Sequence, residues 1–539
     1  MTPTYDEVET KYDVDETFEL PPVAQLLAGL DSGASVEDGG ADAMVLEATY
    51  FDTADHRLFH AGLTLRRRTG GADDGWHLKV PIAEGTRREV RAALGRSPRT
   101  VPARLRRMVW MHTRDLPLEP VLQVTTRRSE HHLVSDGQAL ADIADDRVTA
   151  RPLGALAGLA GLAGVDGVNA VDGAERAVSP DLVWREVEVE LVHGDRAFLK
   201  GVGQQLREFG ARPSTSRSKL ARGLGRVPDG DIERKALKRQ KRQLSPSSSS
   251  GEVVVSYLAR ELHRIRVEDL SVRLDRPDSI HSMRVATRRL RGALRTFGTL
   301  FVPGTVQPLE RELRWLADEL GAARDAEVLR VRLLGAVGTE QARHLSTGQV
   351  TRTVDREMAK RQRAAFSGAA AALDDDRYRL LIAALEELVA HPPLTARGAK
   401  RADKQLRKQV AESYAEVRKA LLAADGLASS DERDDQLHKA RKAAKRARYA
   451  AEAVAPAFGK DATAFAAAME RLQEVLGERH DSVAMQQRLY ELAKEAAPAT
   501  AFTYGRLHAR ETAHQAQLDA SIGPVWSAAA KKSLRGWLS

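Results

Sequence analysis

Over its first 225 residues the chain repeatedly places charged side chains of both signs at every second position of short β-patterned segments, and few folds tolerate that. Glu7, Glu9 and Lys11 alternate with Val8 and Thr10. Successive side chains of a strand point to opposite faces, so two carboxylates and an ammonium would line one surface. Arg66 and Arg68 share a face in the same way, as do His77 and Lys79, and then Glu186, Glu188 and Glu190. Leu65, Leu78, Val80, Val187, Val189 and Leu191 take the opposite faces. The opening five residues alone would also suit an edge strand with a solvated face. The recurrence does not.

Residues 43–53, 62–68, 76–81, 87–91, 121–128, 139–148 and 184–192 read as strands, with Gly70-Gly71 and Asp73-Asp74-Gly75 as hairpin turns. Many short strands separated by turns predict an antiparallel barrel or sandwich. An ordinary small barrel fills its interior with apolar side chains, because unpaired buried charge is too costly. A charged interior therefore implies water, ions and ligand inside, a tunnel. Carboxylates beside cations suit a polyphosphate carrying a divalent metal.

The 539 residues suggest two to four domains. No cysteine is present, which excludes disulfides and thiolate chemistry. The net charge of +8 favours an anionic partner, while an aromatic content of 5% is thin for stacking single-stranded nucleic acid. There is no signal-like N-terminus and no apolar run approaching the roughly 20 residues of a membrane span. The expected compartment is the cytoplasm, with polyphosphate granules as a further option, and no membrane partner is expected.

Glu7-x-Glu9-x-Lys11, Tyr50-Phe51-Asp52-Thr53, Leu65-Arg66-Arg67-Arg68, Trp76 to Pro81, Arg88-Glu89, Thr126-Arg127-Arg128, Glu186-x-Glu188-x-Glu190 and Ser216-Arg217-Ser218-Lys219 together resemble the CYTH family, the triphosphate tunnel metalloenzymes. The resemblance implies an eight-stranded antiparallel β tunnel barrel that cleaves triphosphate compounds with Mg²⁺ or Mn²⁺. It implies that Glu7, Glu9, Glu188 and Glu190 face metal, that Lys11, Arg66, Arg68, Lys79, Arg127 and Lys219 grip phosphate oxygens, and that Glu89 joins them. An aspartate should face metal too. Strand parity groups Asp142 with Asp146, whereas family spacing favours Asp145 or Asp146; the choice stays open, with Asp146 carried as the metal candidate. The implied chemistry is in-line attack of a metal-positioned water on the terminal phosphorus without a covalent intermediate. His77 reads as structural, and His131-His132 as a solvated strand end.

Residues 154–173, rich in Gly, Ala, Leu and Val, read as a loop. Residues 226–251 read as a linker, basic over 232–244 and then a flexible serine run, Ser245 to Gly251. This gives a tunnel domain at 1–225 and a second domain at 252–539.

Beyond the linker the spacing becomes helical, predicting helices over 254–272, 280–297, 308–320, 323–334, 352–373 and 378–389, with breaks at Pro303-Gly304, Pro392-Pro393 and Gly459. An internal repeat runs through this all-α region. His281, Arg284, Arg288, Arg289 and Arg291 recur as His438, Arg441, Lys445, Arg446 and Arg448, and Leu320-Gly321 to Arg324-Asp325 recurs as Leu476-Gly477 to His480-Asp481. Two copies suggest two helical bundles about a pseudo-twofold axis. Offsets 0, +3, +7 and +10 fall within roughly 80° of helical arc, so each copy carries one cationic stripe.

These motifs resemble the CHAD domain, the conserved-histidine α-helical domain that often follows CYTH. The resemblance implies two four-helix bundles whose basic helices bind inorganic polyphosphate through His281, Arg284, Arg288, Arg289, Arg291, Arg324, His438, Arg441, Lys445, Arg446, Arg448 and His480. Asp325 and Asp481 are expected to organise neighbouring bases.

The whole is thus expected to be an α+β multidomain protein, a metal-dependent triphosphatase acting on inorganic triphosphate with a polyphosphate-binding helical module. A non-catalytic polyphosphate-binding or granule-associated protein, and a nucleotide or thiamine triphosphate enzyme of the same barrel, are the alternatives. Nucleic acid is not the expected partner, since no groove-reading motif is present.

Overall fold

The computed structural model describes residues 4–26, 35–38, 44–83, 85–135, 138–153, 181–225, 244–341, 348–425, 427 and 430–538. The chain divides into two compact units, Met1–Ile232 and Glu233–Ser539. The glycine-rich 154–173 segment and the basic lead-in over 232–243 lie outside the described residues.

In the first unit, eight strands form a closed antiparallel barrel: β1 (Thr4–Val14), β2 (Met44–Asp52), β3 (Thr64–Thr69), β4 (Gly75–Ala83), β5 (Thr86–Ala92), β6 (Glu119–Ser135), β7 (Gln138–Pro152) and β8 (Leu182–Leu191). Neighbours run β1-β5-β4-β3-β2-β6-β7-β8, and β8 returns to β1 with Lys11 opposite Glu188. Each of these eight strands therefore has a neighbour on both sides. β6 and β7 are longer than the alternation suggested, so His131 and His132 lie within β6, opposite Ile143 and Asp142, rather than at a strand end.

The outward faces are apolar, as expected. Leu133, Ile143, Val187 and Val189 pack with Leu199, Val202 and Leu206 in one buried core. Those leucines and the valine belong to α2 (Arg196–Glu208), whose first turn is capped by Asp195 accepting from the Phe198 N–H at 2.8 Å. An earlier helix, α1 (Ala103–Thr113), buries Leu105, Met108 and Val109. Asp52 of the Tyr50-Phe51-Asp52-Thr53 run is fully buried and accepts from the backbone N–H groups of Thr53, Leu58 and Phe59, so it fixes a turn.

The interior is not charged throughout. Ala48, Tyr50, Val124, Val148 and Ala150 join Leu220 and Ala221 of the short helix α3 (Lys219–Gly223) in a second core cluster. Apolar packing on α3 thus fills part of the bore.

The second unit is helical: α4 (Ser250–Arg273), α5 (Ser279–Phe297), α6 (Val306–Gln341), α7 (Gly348–Asp374), α8 (Asp376–Ala390), α9 (Ala402–Asp425), α10 (Ser430–Glu495) and α11 (Pro498–Ala529). At Gly459 (φ 66°, ψ −136°) the α10 run is broken, which makes it two helices. α4 to α7 and α9 to α11 then form two sets of four, with α8 between. The predicted helices over 308–320 and 323–334 are one continuous helix, α6. Gly321 interrupts the pattern at a cost of only about 1 kcal/mol and removes no backbone donor.

The serine run is not flexible coil. Ser249 caps α4, accepting from the Glu252 N–H at 3.2 Å. Ser250 is fully buried, and its N–H and hydroxyl both donate to the Lys400 carbonyl, at 2.8 and 2.9 Å. Serine is a preferred helix cap as well as a linker residue, and composition alone does not separate the two uses.

Candidate functional site

Five elements deliver nine of the expected charged residues to the bore. β1 supplies Glu7, Glu9 and Lys11, β3 supplies Arg66 and Arg68, β4 supplies Lys79, β8 supplies Glu188 and Glu190, and α3 supplies Lys219. All nine line one cavity of about 240 Å³. The pairing explains the convergence: Lys11 lies opposite Glu188 and Glu9 opposite Glu190, and facing residues of an antiparallel pair share a surface.

Acids and bases there hold one another. Lys219 Nζ lies 2.8 Å from Asp146, 2.7 Å from Glu186 and 2.8 Å from Glu188. Lys11 pairs with Glu188 and sits 3.4 Å from Glu9, and Lys79 is 2.5 Å from Glu7. Arg68 pairs with Asp73. Burial alone would raise the Glu188 pKa, but Lys11, Lys219 and Arg128 hold it well below the usual carboxylate range. Glu190 goes the other way. Burial, reinforced by the carboxylates of Glu7, Glu9 and Glu188, pushes it up to about 7. Burial opposes the charge on Lys219, yet Asp146, Glu186 and Glu188 raise its pKa well above the ordinary value.

Arg127 is exposed and does not reach the bore; Arg128 does. The inward positions of β6 are Val124, Thr126, Arg128 and Glu130, a parity that adjacent arginines conceal. Arg128 donates to both oxygens of Asp146 at 2.7 Å and to Glu188 at 3.1 Å. Asp146 is therefore the inward aspartate. Asp145 is held from the opposite face by Arg185 at 2.9 and 2.6 Å, and Asp142 is 2.7 Å from His132 Nδ1. Glu89 shares the face of Arg87 and Arg91 and lies opposite Lys79, but is fully buried, 2.8 Å from His77 Nδ1 and accepting from Arg91 Nε at 2.6 Å. Arg87, Arg91 and Tyr50 also line the cavity and were not among the expected residues. Alternation with Glu89 was the available signal for the two arginines.

Among the described residues, Asp146, Glu186 and Glu188 form a group whose ligand oxygens all lie within 4.8 Å of one another. Glu7, Glu9 and Glu190 line the cavity outside that group. Glu186 was read only as sharing the face of Glu188. Three carboxylates are hard oxygen donors and fit a hard divalent cation.

In the second unit the two repeats are matched in detail. Arg284 donates to Asp325 at 3.0 Å, and Arg441 lies 3.7 Å from Asp481. The guanidiniums rest on Gly321 and Gly477, where an added Cβ would lie 3.6 and 3.5 Å from them. Arg324 bonds Glu327 at 2.8 Å; its counterpart His480 instead meets the His438 ring at a centroid distance of 4.7 Å. The stripes also sense each other. Burial, together with Arg288, Arg441 and Arg284, pushes the Lys445 ammonium down to about 6. Burial first, then Arg324, lowers the His281 pKa; burial first, then Lys442 and His480, lowers that of His438.

Arg289 and Arg448 stand apart. Glu452 accepts from Arg289 at 2.9 Å and from Arg448 at 2.7 Å, and Arg448 is also 2.7 Å from Glu470. Arg288, Arg291, Lys445 and Arg446 line a separate cleft of about 820 Å³.

Fold and site define a closed antiparallel barrel with an acid- and base-lined bore, joined to a duplicated helical unit bearing basic stripes. The CYTH domain model matches residues 6–224 and the CHAD domain model residues 256–490, and the chain belongs to the family of CYTH proteins that carry a C-terminal CHAD domain. It is 34% identical over 518 residues to the Uncharacterized protein Rv2226 of Mycobacterium tuberculosis, covering 94% of this chain and 92% of that one. Among solved structures it is similar to PptA from Streptomyces chartreusis, at 21% identity over 52% of this chain and 100% of that one, with a TM-score of 0.45. It is also similar to the CHAD domain from the plant Ricinus communis, at 28% identity over 52% of this chain and 93% of that one, TM-score 0.41. CYTH enzymes are triphosphatases or cyclases and depend on metal. Among the described residues no helix is long and apolar enough to cross a membrane.

Proposed function

We propose that the barrel is a divalent-metal-dependent triphosphatase acting on inorganic triphosphate, and that the helical unit binds inorganic polyphosphate. The observation that carries the first reading is the cavity in which Lys11, Arg66, Arg68, Lys79 and Lys219 face Glu7, Glu9, Glu188 and Glu190. Cations of that number match the oxygens of a short phosphate chain, with guanidinium forks for paired oxygens and ammonium groups as point charges. Among the described residues Tyr50 is the single aromatic ring lining the cavity, buried and next to Arg66, which offers a base little shelf to stack on and favours an inorganic chain. Asp146, Glu186 and Glu188 would hold the cation, Mg²⁺ or Mn²⁺. When bound it supplies positive charge against the phosphate oxygens. The side chains of Lys11, Arg66, Arg68, Lys79 and Lys219 bind and orient the chain, and the surrounding β wall excludes bulk water.

The purified protein should release phosphate from tripolyphosphate with Mg²⁺ or Mn²⁺, more readily than from ATP or thiamine triphosphate, and Glu188→Ala should abolish release. No turnover, or turnover indifferent to Glu188→Ala, would reject the reading.

A further inference from the structure

The duplication of the helical unit has diverged at one pair of positions in a way that makes its two sides unequal. Arg295 and Glu452 stand at equivalent places, each 14 residues beyond the leading histidine of its repeat, His281 or His438. On the Glu452 side, the carboxylate binds Arg289 and Arg448 together, with Glu470 on Arg448 and the buried Glu261 4.0 Å from Arg289. The charge there is answered within the protein. On the Arg295 side, the residue equivalent to Arg289 is Arg446, whose charge is disfavoured first by burial and then by Arg295, with Glu416 the one carboxylate acting against them.

That second side is the 820 Å³ cleft, lined by eight cationic side chains and one carboxylate, Glu416. Arg295, Lys419 and Lys442 lie outside the duplicated motif, are exposed, and make no ion pair with a described residue. Lys439 is held by Asp435 at 2.7 Å and Arg291 is 3.9 Å from Glu310. Like charges crowded on one wall weaken the fold unless an anion answers them.

We propose that the polyphosphate chain is bound on one side only, running from the paired stripe residues Arg284, Arg288, Arg441 and Lys445 into the cleft lined by Arg295, Lys419, Lys442 and Arg446. The inference rests on the polyphosphate reading above. A triphosphate is too short to need both sets, so the cleft selects for longer chains. The ligand is inorganic polyphosphate rather than nucleic acid, because among the described residues Tyr449 is the single ring lining the cleft, is 7% exposed, and has the Arg289 and Arg448 guanidiniums over it. Bases would find nothing to stack on.

The test uses the full chain carrying Arg295→Ser, Lys419→Ser and Lys442→Ser together, with Arg284→Ala/Arg441→Ala as the comparison. Long-chain inorganic polyphosphate binding is titrated at several salt concentrations, with duplex DNA as competitor, and tripolyphosphate hydrolysis is followed in parallel. The triple variant should lose about tenfold or more in long-chain affinity, and its log affinity against log salt should flatten by about 2 to 3, since three fewer counterions are exchanged. Its melting profile and tripolyphosphate hydrolysis should match the unaltered protein. Unchanged affinity and slope in the triple variant, with loss in Arg284→Ala/Arg441→Ala, would confine the chain to the stripes and overturn the cleft. DNA competing as well as polyphosphate would overturn the ligand. Failure of the unaltered protein to bind long chains would instead remove the polyphosphate reading, and the cleft with it.

Discussion

Lys219 lies 2.8 Å from Asp146, an ammonium set directly on a carboxylate of the acidic group in the bore. A buried interior of both signs is tolerable because such pairs neutralise each other. A phosphate chain arriving with its cation offers both members new partners: oxygen anions for the base and a metal for the acid.

Lys219→Met should therefore slow tripolyphosphate hydrolysis by about 10²–10³-fold, the usual loss when one charged donor to a reacting anion is removed. Steady-state phosphate release with saturating Mg²⁺ measures this. Activity within a few-fold of the unaltered enzyme would place Lys219 outside the machinery.

Arg127 and Arg128 give a paired test of barrel parity. Arg127→Ala should leave hydrolysis within about twofold and stability within about 0.5 kcal/mol, as expected of an exposed site. Arg128→Ala removes a bidentate partner from the fully buried Asp146 and should cost activity by at least about 10²-fold. Equal effects would contradict the inward placement of Arg128.

Lys445 predicts a pH dependence in the helical unit. Its ammonium faces Arg284 and Arg288 from α5, Arg441 from its own helix, and Asp481, and its pKa is down at about 6 from 10.5. Between those values the unfolded chain binds more protons than the folded one, so stability rises with pH across that window. Melting temperature should increase from pH 6 toward pH 9, and Lys445→Met should flatten that rise. Polyphosphate favours the charged ammonium, so binding at pH 8 should take up protons, read by calorimetry in buffers of different ionisation enthalpy. Lys445→Met should reduce that uptake.

Glu452→Gln should lower stability by about 1–3 kcal/mol, less than for a fully buried ion pair, because Arg448 keeps Glu470. Long-chain polyphosphate affinity measured beside the melt should not fall, since the residue lies away from the cleft lining.

Much of this architecture was legible in the residues. Alternation at Glu7, Glu9 and Lys11 and at Glu186, Glu188 and Glu190 places side chains by parity, and parity survives folding because one slipped residue would turn every charge outward. Arg127-Arg128 defeated it, since two adjacent arginines leave the face undetermined until the partner strand is known. Among the aspartates, parity put Asp142 and Asp146 on one face without choosing between them, while spacing favoured the adjacent Asp145 or Asp146. In the helices, the histidine-led stripe fixed which face is basic but not what answers it. Glu452 neutralises Arg289 from 163 residues away, a pairing that no local pattern encodes. The apolar packing of Ala48, Tyr50 and Val148 on α3 was also invisible, because it depends on which strand ends meet that helix.

The tie of Ser250 to Lys400 has a practical consequence for anyone dividing the protein. A cut within Ser245 to Gly251 would strip the α4 cap and sever the bonds by which Ser248 and Ser250 anchor the stretch before α9. An independently expressed helical half should start upstream of Leu244, itself buried, or it will begin life with a frayed first helix.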